Sequence, residues 1–159
     1  MALDSLFREY PDAQVVMTHR DPLKVLPSCA SFAQVLRAPF TGQIDLKLLG
    51  AEVSKRWADS ARQATRLRTE QQQLAGNFVD VQYPELVFDP MAAVRRIYRH
   101  FDRELSREAA EAMQLFIAHH PKDQGGVHSY SLEQFGLDPA AEKRNFQAYT
   151  DYFSVVPEA

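Results

Sequence analysis

Tyr10-Pro11-Asp12-Ala13-Gln14-Val15-Val16-Met17-Thr18-His19-Arg20-Asp21-Pro22 is the stretch on which the fold turns. Val15, Val16 and Met17 make a short, continuously apolar run, which predicts a strand buried on both faces, as in parallel sheets. Asp21-Pro22 is a helix N-cap residue with proline at the first helical position, so a helix starts as soon as the strand ends. Upstream, Leu3, Leu6, Phe7 and Tyr10 fall at i, i+3, i+4 and i+7 and put apolar side chains on one face of a helix that Pro11-Asp12 ends. A helix leading straight into a buried strand is how an α/β protein reads when it is entered in its middle.

Downstream of Asp21 the apolar stripe is Val25, Cys29, Phe32 and Leu36, and Pro27 is expected to kink the early turns. After a loop at 39–42, Leu46, Leu49, Val53, Trp57, Ala61, Ala64 and Leu67 carry a long helix, with Gly76-Asn77 as its stop. Val79, Val81 and Tyr83 alternate with Asp80 and Gln82, giving a second strand over 78–83. Asp89-Pro90 opens another helix with the face Val94, Ile97, Tyr98 and Phe101, and Ser106 caps one with Ala109, Ala112, Met113 and Phe116. Ser131-Leu132-Glu133-Gln134 has the form of a capping box closed by Gly136, and Asp138-Pro139 starts a last helix that buries Phe146, Tyr149 and Phe153. Two strands separated by helices imply a parallel crossover, and a sheet of two strands falls short of the three or more that independent sheets need. The predicted class is therefore α/β, one domain over residues 1–159, with a short, incomplete parallel sheet and a mainly helical C-terminal part.

The composition limits the function. The 159 residues carry 18 Lys+Arg against 21 Asp+Glu, a net charge of −3, which lacks the basic surplus that binding a nucleic acid backbone or an anionic membrane requires. With 45% hydrophobic residues the chain can build a core. No signal peptide pattern and no apolar run of membrane-spanning length is readable, so the expected compartment is the cytoplasm. The single cysteine, Cys29, excludes an internal disulfide, and the five histidines lack the spacing of a zinc site, so no metal is expected. His119, His120 and His128 read as a solvated loop. The arginines at 56, 62, 66 and 68 are interleaved with Asp59 and Glu70 and read as a solvated helix face. His19-Arg20-Asp21 has the letters of a kinase catalytic loop, but Leu26 stands where the metal-binding Asn is needed and no Asp-Phe-Gly follows.

The chemistry concentrates at His19-Arg20-Asp21-Pro22. A helix N-terminus presents unpaired N–H groups and partial positive charge, and an Arg beside it adds bidentate bonds to an anion. Ser28 lies on the same helix, eight residues on. The alternative reading makes Arg20 a surface ion-pair partner of Asp21 or of a glutamate.

The segment 10–28 resembles the second nucleotide-binding motif of sulfotransferases that use 3′-phosphoadenosine 5′-phosphosulfate, in which an Arg at a strand end and a Ser eight residues later bind the 3′-phosphate. Arg20 and Ser28 have that spacing. Val81-Gln82-Tyr83-Pro84-Glu85-Leu86 resembles the family's Tyr-x-x-Leu segment, whose Tyr contacts the adenine, and Tyr83 is the match. The tail from Gly125 to Phe153 is similar to the bacterial branch. Lys122 and Gly125 fall near the family's basic, glycine-containing loop, although His120-Pro121-Lys122-Asp123-Gln124-Gly125 does not reproduce its Arg-Lys-Gly. The resemblance implies a P-loop-NTPase-like fold and transfer of a sulfuryl group from 3′-phosphoadenosine 5′-phosphosulfate, leaving 3′-phosphoadenosine 5′-phosphate, to a hydroxyl or amine of a small-molecule or carbohydrate acceptor. No Gly-rich loop precedes Arg20, so the chain reads as roughly the C-terminal two-thirds of such an enzyme, catalytically incomplete alone. The alternative function is a non-catalytic nucleotide-binding or protein-interaction module that completes its sheet with another copy or another protein.

Overall fold

The computed structural model describes residues 3–120 and 130–158. Helix α1 (Leu3–Glu9) leads into strand β1 (Val15–His19), and α2 (Pro22–Arg37) follows at once. The Asp21 carboxylate accepts from the Leu23 N–H at 2.9 Å, and Pro22 takes the position where a missing N–H costs nothing. A 3-10 turn (Ala38–Phe40) separates α2 from α3 (Leu46–Glu70), whose N-cap Asp45 accepts from the N–H groups of Lys47 and Leu48. A second 3-10 turn (Gln72–Asn77) then delivers β2 (Phe78–Gln82). Helices α4 (Tyr83–Phe88), α5 (Pro90–His100), α6 (Arg107–His119) and α7 (Pro139–Tyr152) complete the order, with a 3-10 turn (Glu133–Phe135) before α7. Asp89, Ser106 and Asp138 cap their helices as their sequence positions predict.

β1 and β2 pair in parallel, in register from Val15 opposite Phe78 to His19 opposite Gln82. Among the described residues these are the strands of one two-stranded sheet, so the α/β class with a short parallel sheet and helical remainder is the observed one. The largest core cluster lies away from the sheet: Leu26 and Ala30 of α2, Leu49 and Ala58 of α3, and Phe146 of α7 close around Leu132, Phe135 and Leu137. Phe7, Leu67 and Phe78 join α1 and α3 to the sheet, and Val79, Val81 and Ala93 seat α5 on it. Gly50 lets α3 approach the 133–135 turn, because a Cβ there would lie 2.8 Å from the Phe135 Cβ. Gly136 ends that turn at φ +65°, a conformation that costs glycine nothing. No helix among the described residues is long and apolar enough to cross a membrane.

Several expectations are corrected. β1 is not buried on both faces: Val16 is 43% exposed, at the mouth of an open cleft beside Ile97 and Tyr98 of α5. The buried face of α2 is Leu26 and Ala30, flanked by Leu23 and Ala33, while Phe32 and Leu36 are exposed. Both stripes have helical period, since α2 is apolar around much of its circumference, and only α3 and α7 select between them. Trp57 is 44% exposed, and the neighbouring Ala58 is the residue buried in the core. α3 stops at Glu70, before Gly76-Asn77. α6 buries none of its residues, and Phe116 is exposed. Tyr83 is the first residue of α4 rather than the last of β2.

Candidate functional site

Parallel strands leave a crevice at their carboxyl ends, where the chain turns away into helices. Here β1 ends at His19 and β2 at Gln82, which are partners in register. The next residue on each strand, Arg20 and Tyr83, must therefore emerge side by side. The Arg20 guanidinium lies over the Tyr83 ring, 3.9 Å from its centroid. Its edge makes two bonds to one carboxylate, Nε to Glu158 Oε1 at 2.8 Å and Nη2 to Oε2 at 2.9 Å. The hydrogen bond to Glu158 raises the Arg20 pKa, burial opposes it, and the charge of Glu158 and the phenols of Tyr83 and Tyr130 add to the rise. Arg20 remains 38% exposed.

Ser28 sits on α2, where its Oγ accepts from the Tyr130 hydroxyl at 2.9 Å. Its own hydroxyl hydrogen is left to point at an acceptor. Arg20 and Tyr83 are thus in contact, while Ser28 is joined to Tyr130, a phenol whose field also acts on the Arg20 charge. Asp21 closes its base: Oδ1 caps α2, and Oδ2 accepts from the Glu158 N–H at 3.0 Å. Beside Arg20, a cavity of about 290 Å³ opens between β1, α2, α3 and α7, with Trp57, Phe146, Tyr149 and Thr18 in its wall. Lys122 and Gly125 lie outside the described residues.

Directly beneath is a buried polar network that the sequence reading missed. His19 has no exposed surface; its Nε2 lies 2.9 Å from Asp80 Oδ1 and its Nδ1 2.8 Å from the Tyr149 hydroxyl. A carboxylate only accepts, so Nε2–H donates to Asp80, and in the neutral ring Nδ1 accepts from Tyr149. Phe153 stacks on the imidazole at 4.4 Å. Arg68 donates to both Asp80 oxygens, at 3.0 and 2.8 Å, and its side chain is only 13% exposed. Arg68 is thus not part of a solvated face, although Arg62 and Arg66 are. Burial pushes the Asp80 carboxyl up, but hydrogen bonds from His19 and Arg68 and the Arg68 charge bring it down to about 2. Burial, with the Asp80 charge behind it, pushes Tyr149 up to about 12. Asp80 is therefore ionised and Tyr149 neutral across the physiological range, and the network anchors the end of β1 to β2 and α7. The available signal was Asp80 itself, a charge between Val79 and Val81 in the centre of a strand; its partner Arg68 could not be chosen from the four arginines of α3 by spacing. Glu158 and Tyr130 had no signal, since both reach Arg20 only through the fold.

Among the described residues no group of three or more His, Cys, Asp or Glu is arranged to hold a metal ion. Comparison with known proteins places this geometry. Sulfotransferase STF9 from Mycobacterium avium superposes with a TM-score of 0.88 at 28% identity, over 99% of this chain and 40% of that one. Sulfotransferase STF1 from Mycobacterium tuberculosis superposes with a TM-score of 0.76 at 33% identity, over 91% of this chain and 36% of that one. The chain thus spans about 40% of the length of the relatives it matches, less than the two-thirds expected from its motifs. None of the curated proteins matches it. The family model described as "Sulfotransferase family" matches residues 1–107, which include β1, Arg20, Ser28, β2 and Tyr83, and the chain belongs to that family.

Proposed function

We propose that this chain carries the 3′-phosphate and adenine side of a donor site for 3′-phosphoadenosine 5′-phosphosulfate, within a sulfotransferase whose acceptor is a hydroxyl or amine of a small molecule or carbohydrate. The observation that carries the reading is the contact of Arg20 with Tyr83 at the carboxyl ends of the two strands, with Ser28 on the helix that starts there, bonded to Tyr130. The residues fit the group. Arg20 already grips a two-oxygen anion along one edge, and a phosphate offers the same pair of oxygens with more charge. Ser28 supplies a hydroxyl donor, and the Tyr83 ring a π-face of the kind on which bases stack. When bound, the nucleotide supplies the sulfuryl group. The residues of this chain hold and orient it, and such transfer depends on positioning and charge stabilisation.

The test is a calorimetric and thermal-shift titration with 3′-phosphoadenosine 5′-phosphate, with 5′-AMP as the control lacking the 3′-phosphate. Ligand at about 100 times its dissociation constant stabilises the fold by about 2.7 kcal/mol. Arg20→Ala is expected to weaken binding more than about tenfold, the loss of a charge-assisted contact of about 1.5–3 kcal/mol. Equal binding of 5′-AMP, or unchanged affinity in Arg20→Ala, refutes the assignment.

A further inference from the structure

We infer that Glu158 is an internal occupant of the Arg20 anion site, so that bidentate binding of the nucleotide phosphate along the Nε/Nη2 edge requires the segment 154–158 to leave. The inference rests on the donor-site reading above and adds a competitor to it. A carboxylate held by Nε and Nη2 of one guanidinium occupies the edge that a bidentate phosphate would take. The face of the same guanidinium is already covered by Tyr83. With one face and one full edge engaged, Arg20 cannot give a phosphate two parallel bonds along that edge while Glu158 stays.

The segment is held firmly enough to compete and loosely enough to be displaced. The Glu158 N–H donates to Asp21 Oδ2, the Val155 N–H to the Thr150 carbonyl at 2.9 Å, and Val155 is buried. Against this, Ser154 adopts φ +50°, a left-handed conformation unfavourable for a residue with a Cβ. At the start of the segment, Gln82 Nε2 donates to the Phe153 carbonyl, while Gln82 Oε1 is the buried side-chain oxygen left without a partner among the described residues. Strain at Ser154 favours release once a stronger anion competes for Arg20. A site competent only when the segment is out shows an affinity lowered by the fraction of time it is out.

The experiment compares the wild-type chain with Glu158→Gln, which keeps side-chain size and the main-chain N–H but removes the anion. Affinity for 3′-phosphoadenosine 5′-phosphate is measured by calorimetry, and amide hydrogen exchange is followed in the peptide covering 153–158, with and without nucleotide. The expected result is about five- to tenfold tighter binding by Glu158→Gln, as when the competent state rises from a tenth or a fifth of the population to nearly all of it. Nucleotide should also speed exchange in that peptide of the wild-type chain, which separates release of the segment from a mere change in local charge. Wild-type binding with no gain in the variant, or with exchange in 153–158 slowed or unchanged, overturns this inference and leaves the donor-site reading standing. Binding by neither chain overturns the donor-site reading, and this inference with it.

Discussion

Replacing Asp80 with asparagine removes the one anion shared by His19 and Arg68, and its consequence can be worked out as a function of pH. Asp80 titrates at about 2 in the folded chain against 3.8 for the free side chain. A carboxyl depressed on folding contributes stability that is fully present above 3.8 and is lost as pH falls through about 2. The gap corresponds to about 2.4 kcal/mol at about 1.36 kcal/mol per tenfold in proton affinity. Because the side chain is 32% exposed, solvent screening lowers this to about 1–2 kcal/mol. At neutral pH, Asp80→Asn also leaves the Arg68 guanidinium, itself largely buried, without its counter-ion, and breaking such a pair costs about 3–5 kcal/mol when fully buried and less here. Urea unfolding of both chains at pH 7, 5, 3 and 2 is the assay. The wild-type chain is expected to be more stable by about 2–4 kcal/mol at pH 7, with an advantage shrinking by about 1–2 kcal/mol between pH 5 and pH 2. A difference that stays constant down to pH 2 refutes the argument that the ionised carboxylate ties His19 and Arg68 together.

Gly50→Ala is expected to destabilise the fold by about 1–3 kcal/mol, because the new Cβ meets the backbone and Cβ of the buried Phe135, which cannot rotate away; an unchanged unfolding midpoint refutes the close approach of α3 to the 133–135 turn. Tyr149→Phe leaves His19 Nδ1 without its donor and is expected to cost about 1–2 kcal/mol at pH 7. Tyr149 is raised from 10.0 to about 12 on folding, so stability is lost as pH rises through that interval, and the wild-type advantage over Tyr149→Phe should fall between pH 10 and pH 12 in a pH series of thermal unfolding.

The arrangement gives the proposed anion site a floor of buried, hydrogen-bonded side chains. Arg20 and Asp21 directly follow His19, and His19 is held in the plane of its ring by Asp80 and Tyr149 and on its face by Phe153. Two elements, β2 and α7, therefore meet on the last residue of β1, and α3 braces Asp80 through Arg68. A guanidinium presented from such a fixed backbone loses less freedom on gripping an anion than one on a mobile loop. Glu158 is the movable part, since it reaches the site from beyond the end of α7.

What the sequence determined alone is local. Asp21-Pro22, Asp89-Pro90 and Asp138-Pro139 each announce a helix start, because capping and the fixed φ of proline are decided within a few residues. The apolar run at Val15 and the alternation from Val79 mark the strands for the same reason, and the eight-residue interval from Arg20 to Ser28 needs no tertiary information to be read. The tertiary structure alone decided which of two apolar stripes of α2 became the core face, because Leu26 and Ala30 are selected by α3 and α7 rather than by period. It also decided that Arg68, unlike Arg62 and Arg66, turns inward to Asp80, and that Glu158 crosses the molecule to Arg20. Those pairings join residues 12 and 138 positions apart, where no local pattern constrains the partner and only the packed fold brings opposite charges within reach.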